Sequence, residues 1–373
     1  MLKNKFIWLS ISGIALGYLL TGLLVIVFKK QMPNSSRDRQ EKRFEHMMEA
    51  LPQIAKEPKS TVLFIGTSIY QYCLNPLSFE EALKKSNKPS LKAFNLSFEG
   101  NMGFGLLAQM RRLEHEFRKA KTKKFHTIVL EMSPVSYSQK FYERHQVMLE
   151  KVHPWIFIDK ENRLSFFIKN PTVVAALYSN RWISDFDWYN LRKVKEFFIG
   201  PISVPRNKFG GASGYWSRPH FYEKPEWNLA THGFVNWNLP SSKKRFDHLY
   251  EYLHIKLVWN RELKRYLDGH AVNNTFQFST PMLRSLSESV EIAKKLADRV
   301  LLVFLPNSPD FQSEINKYID YDYFTKNVVN SSDTNIVNFT HKFHLSPKDY
   351  LDAMHPRHET MNLFLEALAD EAF

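Results

Sequence analysis

Thr61-Val62-Leu63-Phe64-Ile65-Gly66-Thr67-Ser68 decides how this chain is read. Five apolar or β-branched residues in a row, closed by a glycine, have the length and composition of a strand buried on both faces, which is the habit of parallel sheets. The serine then stands at the carboxyl end of that strand, where an open parallel sheet presents ligands and reactive groups.

Working outward, similar short apolar runs recur at Leu91 to Leu96, Thr127 to Leu130, Val300 to Leu305 and Asn335 to Phe339. Helical patterns fall between and beyond them, at Phe79 to Lys85, Phe104 to Ala120, Pro281 to Ala297, Phe311 to Lys326 and Pro356 to the end. Strand alternating with helix predicts an α/β fold, a parallel sheet with helices on both faces. Before the first strand, Ser35 to Pro58 carries Phe44, Met47, Met48, Leu51 and Ile54 at spacings of three and four. That periodicity predicts a helical stalk packed back on the domain.

The sheet is interrupted once, by a long segment of different composition. Seven of the eight tryptophans lie in it, from Trp155 to Trp259, and Gly200 to Pro240 is rich in Gly, Pro, Asn and Ser. A connection of this length inside a compact sheet is usually functional, so it reads as an insertion that shapes a site, or else as a second small aromatic core. The organisation expected is an anchor over 1–30, a stalk over 31–60, a first half-domain over 61–136, the insertion over 137–280 and a second half-domain over 281–373.

The anchor rests on Phe6 to Phe28, a run without one charged residue. It matches the ~20 apolar residues that a helix needs to cross a bilayer. Lys3 and Lys5 precede it, while Lys29, Lys30, Arg37, Arg39, Lys42 and Arg43 follow, with acids interleaved among the later bases. Read literally, that flank would hold the large domain in the cytoplasm, so the side of the membrane stays open at this point. A formal charge of +13 points to an anionic neighbour, and for an anchored protein the lipid surface or an acidic envelope polymer is nearer than nucleic acid, for which no motif is present. Cys73 is the only cysteine, which rules out an internal disulfide and a cysteine-based zinc site within one chain.

Chemistry concentrates at three places. Ser68 is a candidate nucleophile, although a serine after a strand also serves as a helix cap. The α/β-hydrolase elbow is disfavoured because Tyr70 stands where a glycine is needed, and a phosphate loop because no glycine-rich turn or lysine follows. His355, with Asp352 three residues earlier and Pro356 after it, offers a base and its orienting acid; Pro356 predicts that the last helix begins there with His355 at its cap. Between them, the turn Asn95-Leu96-Ser97-Phe98-Glu99-Gly100-Asn101 brings a glycine amide near a reacting carbonyl.

These segments resemble the SGNH (GDSL-type) esterases and acyltransferases, a resemblance that implies a flavodoxin-like parallel sheet. The resemblance covers Thr61 to Met132 and Val300 to the carboxyl terminus and leaves the insertion outside. It implies Ser68 as nucleophile, His355 as base and Asp352 as its orienter, with the amides of Ser68 and Gly100 as oxyanion donors. The family's asparagine block after the third strand would fall at Leu130-Glu131-Met132-Ser133-Pro134, where no asparagine occurs, and Asn101 or Ser133 is the expected substitute. Membrane-anchored proteins of alginate O-acetylation and of teichoic-acid D-alanyl transfer are similar in this divergence. By that likeness the chain is expected to be an extracytoplasmic serine acyltransferase or esterase acting on an envelope polysaccharide or polymer. A multi-spanning membrane acyltransferase would be its partner, with no metal or cofactor. The alternative is a catalytically silent SGNH-like protein that binds glycan or scaffolds an assembly.

Overall fold

Alternation of side chains along each strand sorts the apolar residues onto two faces, and in the central strands both faces are buried. The structure is a computed structural model that describes residues 36–98, 101–121, 123–139, 227–234, 271–272, 275–319, 321–328, 335–350 and 354–373, with Ser12, Gly13, Leu16, Gly17 and Leu20. The chain divides into two compact units, 1–37 with 164–221 and 38–163 with 222–373, and every described strand lies in the second.

That unit is built on a parallel sheet of β1 (Thr61–Ile65), β2 (Lys92–Asn95), β3 (Phe125–Met132), β6 (Ala297–Phe304) and β7 (Asn335–Asn338). A short antiparallel hairpin, β4 (Ala271–Val272) and β5 (Thr275–Phe276), stands apart from it. Strand order across the sheet is β2-β1-β3-β6-β7, all pairs parallel. This is the flavodoxin-like order, and the direction of winding reverses between β1 and β3. The crevice for chemistry therefore opens at the carboxyl ends of those two strands.

The helices are α1 (Ser36–Ile54), α2 (Ser68–Cys73), α3 (Pro76–Lys85), α4 (Phe104–Lys119), α5 (Thr280–Leu296), α6 (Pro309–Ile315), α7 (Tyr321–Val328) and α8 (His358–Ala372). Leu63, Ile65, Ile128, Leu130, Val300 and Leu302 face α1, α4 and α5 in one core. Their strand neighbours Val62, Phe64, Val129, Leu301 and Val303 face α2, α3 and α8 in the other. Helices thus cover both sides of the sheet, as the alternating pattern requires.

α1 fulfils the spacing that predicts it: Phe44, Met47, Met48, Leu51 and Ile54 are all buried in the first core. One helix expected over Phe311 to Lys326 is instead two, α6 and α7. The break lets the Tyr318 carbonyl accept from the Phe276 amide, while Phe311, Ile315 and Ile319 pack with Phe276 and Val135. Tertiary contacts with β5 outweigh continuation of the helix.

Among the described residues no helix is long and apolar enough to cross a membrane. The expected anchor, Phe6 to Phe28, lies outside the described residues except for five, which are helical and exposed. Most of the aromatic insertion also lies outside them. Its described turn, Trp227 to Phe234, covers the edge strand β2: Trp227 Nε1 donates to the Asn95 carbonyl at 2.7 Å, and the Asn95 amide donates to the His232 carbonyl at 2.8 Å. Phe94 stacks on both Trp227 and His232.

Arg43 pins this assembly. It is fully buried on α1, donating from Nε to the Ser97 carbonyl at 2.9 Å and from Nη2 to the carbonyls of Gly233 at 3.1 Å and Asn95 at 3.4 Å. Burial lowers the guanidinium pKa to about 10, so it remains a cation at neutral pH. One cation therefore joins the amino-terminal helix, the turn after β2 and the insertion. Arg43→Met removes the charged donor from three buried carbonyls and is expected to lower stability by about 2 kcal/mol, measured by denaturant unfolding. An unchanged midpoint would mean that the clamp contributes nothing.

Candidate active site

The turn after β1 is short because α2 starts at once. Thr67 is its N-cap, extended, and its hydroxyl oxygen accepts from the Ile69 amide at 3.4 Å. Ser68 is the first helical residue, so its N–H has no acceptor within the helix. The next helix, expected over Phe79 to Lys85, begins three residues earlier at Pro76, with an Asn75 side-chain cap. The six-residue α2 escapes periodicity analysis, being scarcely more than one turn and buried from Ile69 to Cys73.

His355 arrives from the other end of the domain on a loop closed at its base. Tyr350 and Pro356 form an antiparallel bridge, the Arg357 amide donates to the Asp349 carbonyl at 2.8 Å, and the Tyr350 hydroxyl donates to the Pro306 carbonyl at 2.9 Å. These contacts hold Pro356 extended, and α8 begins at His358 rather than at Pro356. His355 is consequently not the cap of that helix, as Pro356 had predicted. Its place is fixed by the bridge.

The structure brings Ser68 and His355 together: Nε2 of the imidazole lies 2.8 Å from Ser68 Oγ, across 287 residues of sequence. For the hydroxyl to donate to Nε2, the ring must be neutral and carry its proton on Nδ1. Asp352, the expected partner of Nδ1, lies outside the described residues, as does Gly100. Asn101 is buried and turned inward, its Nδ2 donating to the Gln109 side chain and, at 3.4 Å, to the Gly66 carbonyl. Ser133 begins the short turn after β3, where its carbonyl accepts from the Ser136 amide.

Two residues of the site had no assigned role in the sequence. Asn95 is fully buried, and its Nδ2 donates to the Tyr70 carbonyl at 2.6 Å and the Leu74 carbonyl at 3.1 Å, tying α2 to β2. Glu131, near the end of β3, lies beneath the turn that carries Ser68. Its Oε2 accepts from the amides of Thr67 at 2.9 Å and Tyr70 at 3.3 Å, and its Oε1 from the Thr67 hydroxyl at 2.6 Å. The available signal was a lone charge in the apolar run Ile128 to Met132. Such a charge in a buried strand needs partners.

Burial pushes the Glu131 carboxyl above its ordinary range, and its three hydrogen-bond donors pull it partly back. Burial, reinforced by the Glu131 carboxylate, likewise lifts the Tyr70 phenol well above its usual value. A chemical consequence follows from counting donors. Thr67 and Tyr70 give their amides to Glu131, Ile69 gives its own to Thr67, and Ser68 keeps the one N–H of the turn free to meet an oxyanion.

Gly66 makes this packing possible. A Cβ there would fall 2.7 Å from Glu131 Cβ, 2.9 Å from the Tyr70 ring and closer still to Glu131 Oε2, distances that real side chains do not adopt. The arrangement has the parts of an acyl-transfer site: a serine, a histidine within proton-transfer reach and a free amide. No protein-family model matches the chain, and no curated protein matches it.

Gly66→Ala should therefore lower the melting temperature, at an overpacking cost of about 1–3 kcal/mol, and displace Ser68. A crystal structure with Ser68 Oγ still within hydrogen-bond reach of His355 would refute the displacement. The raised carboxyl of Glu131 carries its own pH signature. A group with a higher pKa in the folded state binds more protons there than when unfolded, so stability falls as pH rises through the window above the ordinary ~4.3. Glu131→Gln abolishes that loss, and melting curves should show it level with the native protein in acid and at least as stable at neutral pH.

Proposed function

We propose that this protein is a membrane-anchored serine acyltransferase or esterase of SGNH type, facing the cell envelope and acting on an envelope glycan or polymer. The observation that carries the reading is the 2.8 Å approach of His355 Nε2 to Ser68 Oγ at the carboxyl edge of a parallel sheet, where its winding reverses. Order and spacing along the chain support it too, with Ser68 after the first strand and His355 just before the last helix.

The reaction follows from the two side chains. His355 takes the Ser68 proton as Oγ bonds to the acyl carbon, and the Ser68 amide steadies the resulting oxyanion. Collapse breaks the bond to the leaving group, which receives that proton from the imidazolium and departs, leaving an acyl-serine. A hydroxyl of the acceptor, or water, then gives its proton to His355, attacks the acyl carbon and frees Ser68, whose oxygen recovers the proton. Asp352 holds the Nδ1 proton in this scheme. The charge-free run Phe6 to Phe28 supports an anchor beside a membrane-borne acyl donor, delivered by a multi-spanning acyltransferase partner, and the tryptophan-rich insertion supports a sugar acceptor.

One observation favours the alternative, a silent SGNH-like protein that binds glycan. The Asn101 amide is committed to Gly66 and Gln109, so among the described residues the Ser68 N–H stands without a second donor. Losing one oxyanion donor costs ~2.7–4 kcal/mol of transition-state stabilisation. Acyl transfer to a bound acceptor therefore suits this site better than fast hydrolysis.

Full-length protein in detergent should react with a serine-directed fluorophosphonate at Ser68, located by mass spectrometry, and Ser68→Ala should remain unlabelled. Labelling that persists in Ser68→Ala, or none in the native protein, rules out Ser68 as the nucleophile and leaves the silent reading.

A further inference from the structure

Glu131 has no place in the triad, yet it touches the nucleophile turn at more points than any other described side chain. A buried carboxylate is costly unless its oxygens are filled, and here three donors from two residues of one turn fill them. The donors flank Ser68 in sequence, Thr67 before it and Tyr70 after it. A planar acceptor bridging both positions fixes the path of the chain between them, and Ser68 is on that path.

We propose that Glu131 is the positioning residue of this site, a buried clamp on the Thr67–Tyr70 turn that holds the Ser68 hydroxyl within reach of His355. The inference rests on the reading of Ser68 as nucleophile. Glu131 acts through the turn and not on the substrate, since its oxygens are engaged and its side chain is buried. Gly66 belongs to the same device, because only a residue without a Cβ lets the carboxylate rise against the turn. Placement on β3 adds rigidity: β3 is hydrogen-bonded to β1 on one side and β6 on the other, so the clamp is mounted on the centre of the sheet.

The clamp is one of hydrogen-bond geometry, which separates it from a purely electrostatic effect of the carboxylate on His355. Glutamine has the same shape. Its oxygen can accept from the Thr67 and Tyr70 amides while its NH2 donates to the Thr67 hydroxyl oxygen, so it keeps the clamp and removes the charge. Alanine removes both, and Thr67→Val removes one of the three contacts, and with it the hydroxyl that caps the Ile69 amide, with little change of shape.

The experiment measures the rate of fluorophosphonate labelling of Ser68 in the full-length protein, with thermal unfolding run on each variant. Glu131→Ala should label about ten- to a hundred-fold more slowly than native, the range expected from losing hydrogen bonds to a charged group. Glu131→Gln should stay within about three-fold of native, and Thr67→Val should be several-fold slow. A folded Glu131→Ala that labels at the native rate overturns the proposal. So does a Glu131→Gln as slow as Glu131→Ala, since the charge would then be what matters. If Glu131→Ala does not fold, Thr67→Val decides, and native-rate labelling of that variant overturns the clamp. A native protein that does not label at Ser68 defeats the nucleophile reading and this inference together, whereas the other outcomes leave the nucleophile standing.

Discussion

A carboxylate and a peptide backbone share one small space at the end of β1. Glu131 rises from β3 against Gly66, takes the amides on either side of Ser68, and fills the position where any side chain on residue 66 would stand. The start of α2, the direction of the serine and the free N–H all follow from that fit. So does the partnership with β2, because Asn95 secures the far end of α2 by its last carbonyls. The turn is thus held from below by a carboxylate and from the side by an amide. Ser68 needs no strain of its own to be presented at the rim of the sheet.

What the sequence could yield was set by the range of each interaction. Burial on two faces leaves its mark locally on β1, β2, β3 and β6, so these could be read from short apolar runs, while the largely exposed β7 shows only as Ile336-Val337, and α1 could be read from a repeat of three and four. Ser68 was legible because it follows β1, and His355 because it stands just before the last helix, but their approach is a tertiary contact made through the Tyr350–Pro356 bridge. The start of α8 was misread because Pro356 obeys a long-range bridge to Tyr350 rather than its own preference for a helix start. The break between α6 and α7 has the same origin, a contact with β5 made from a distant part of the chain. Glu131 and Arg43 show as charges in apolar or amphipathic patterns, but their partners are backbone groups, which carry no sequence signature.

Each buried charge does a different task in this domain. Arg43 gathers carbonyl oxygens from the turn after β2 and from the insertion, and Glu131 gathers amides from the turn after β1. Backbone dipoles of opposite sense are thereby matched on neighbouring strands. Polar networks of this kind are worth most when every member is satisfied, and they specify one arrangement where apolar packing alone would admit several.

The last helix has a consequence for how the protein is made. α8 supplies Met361, Phe364, Leu365 and Leu368 to the core that Val62, Phe64, Val129, Leu301 and Val303 form on one face of the sheet. During synthesis those strand residues emerge long before their cover, and the histidine emerges just ahead of it. Until α8 docks, that side of the sheet is covered by α2 and α3 alone and part of its apolar surface stays open to other chains. His355, just ahead of that helix, is held against Ser68 by the Tyr350–Pro356 bridge. A chain cut short before α8 would keep the histidine and lose the cover on that side of the sheet.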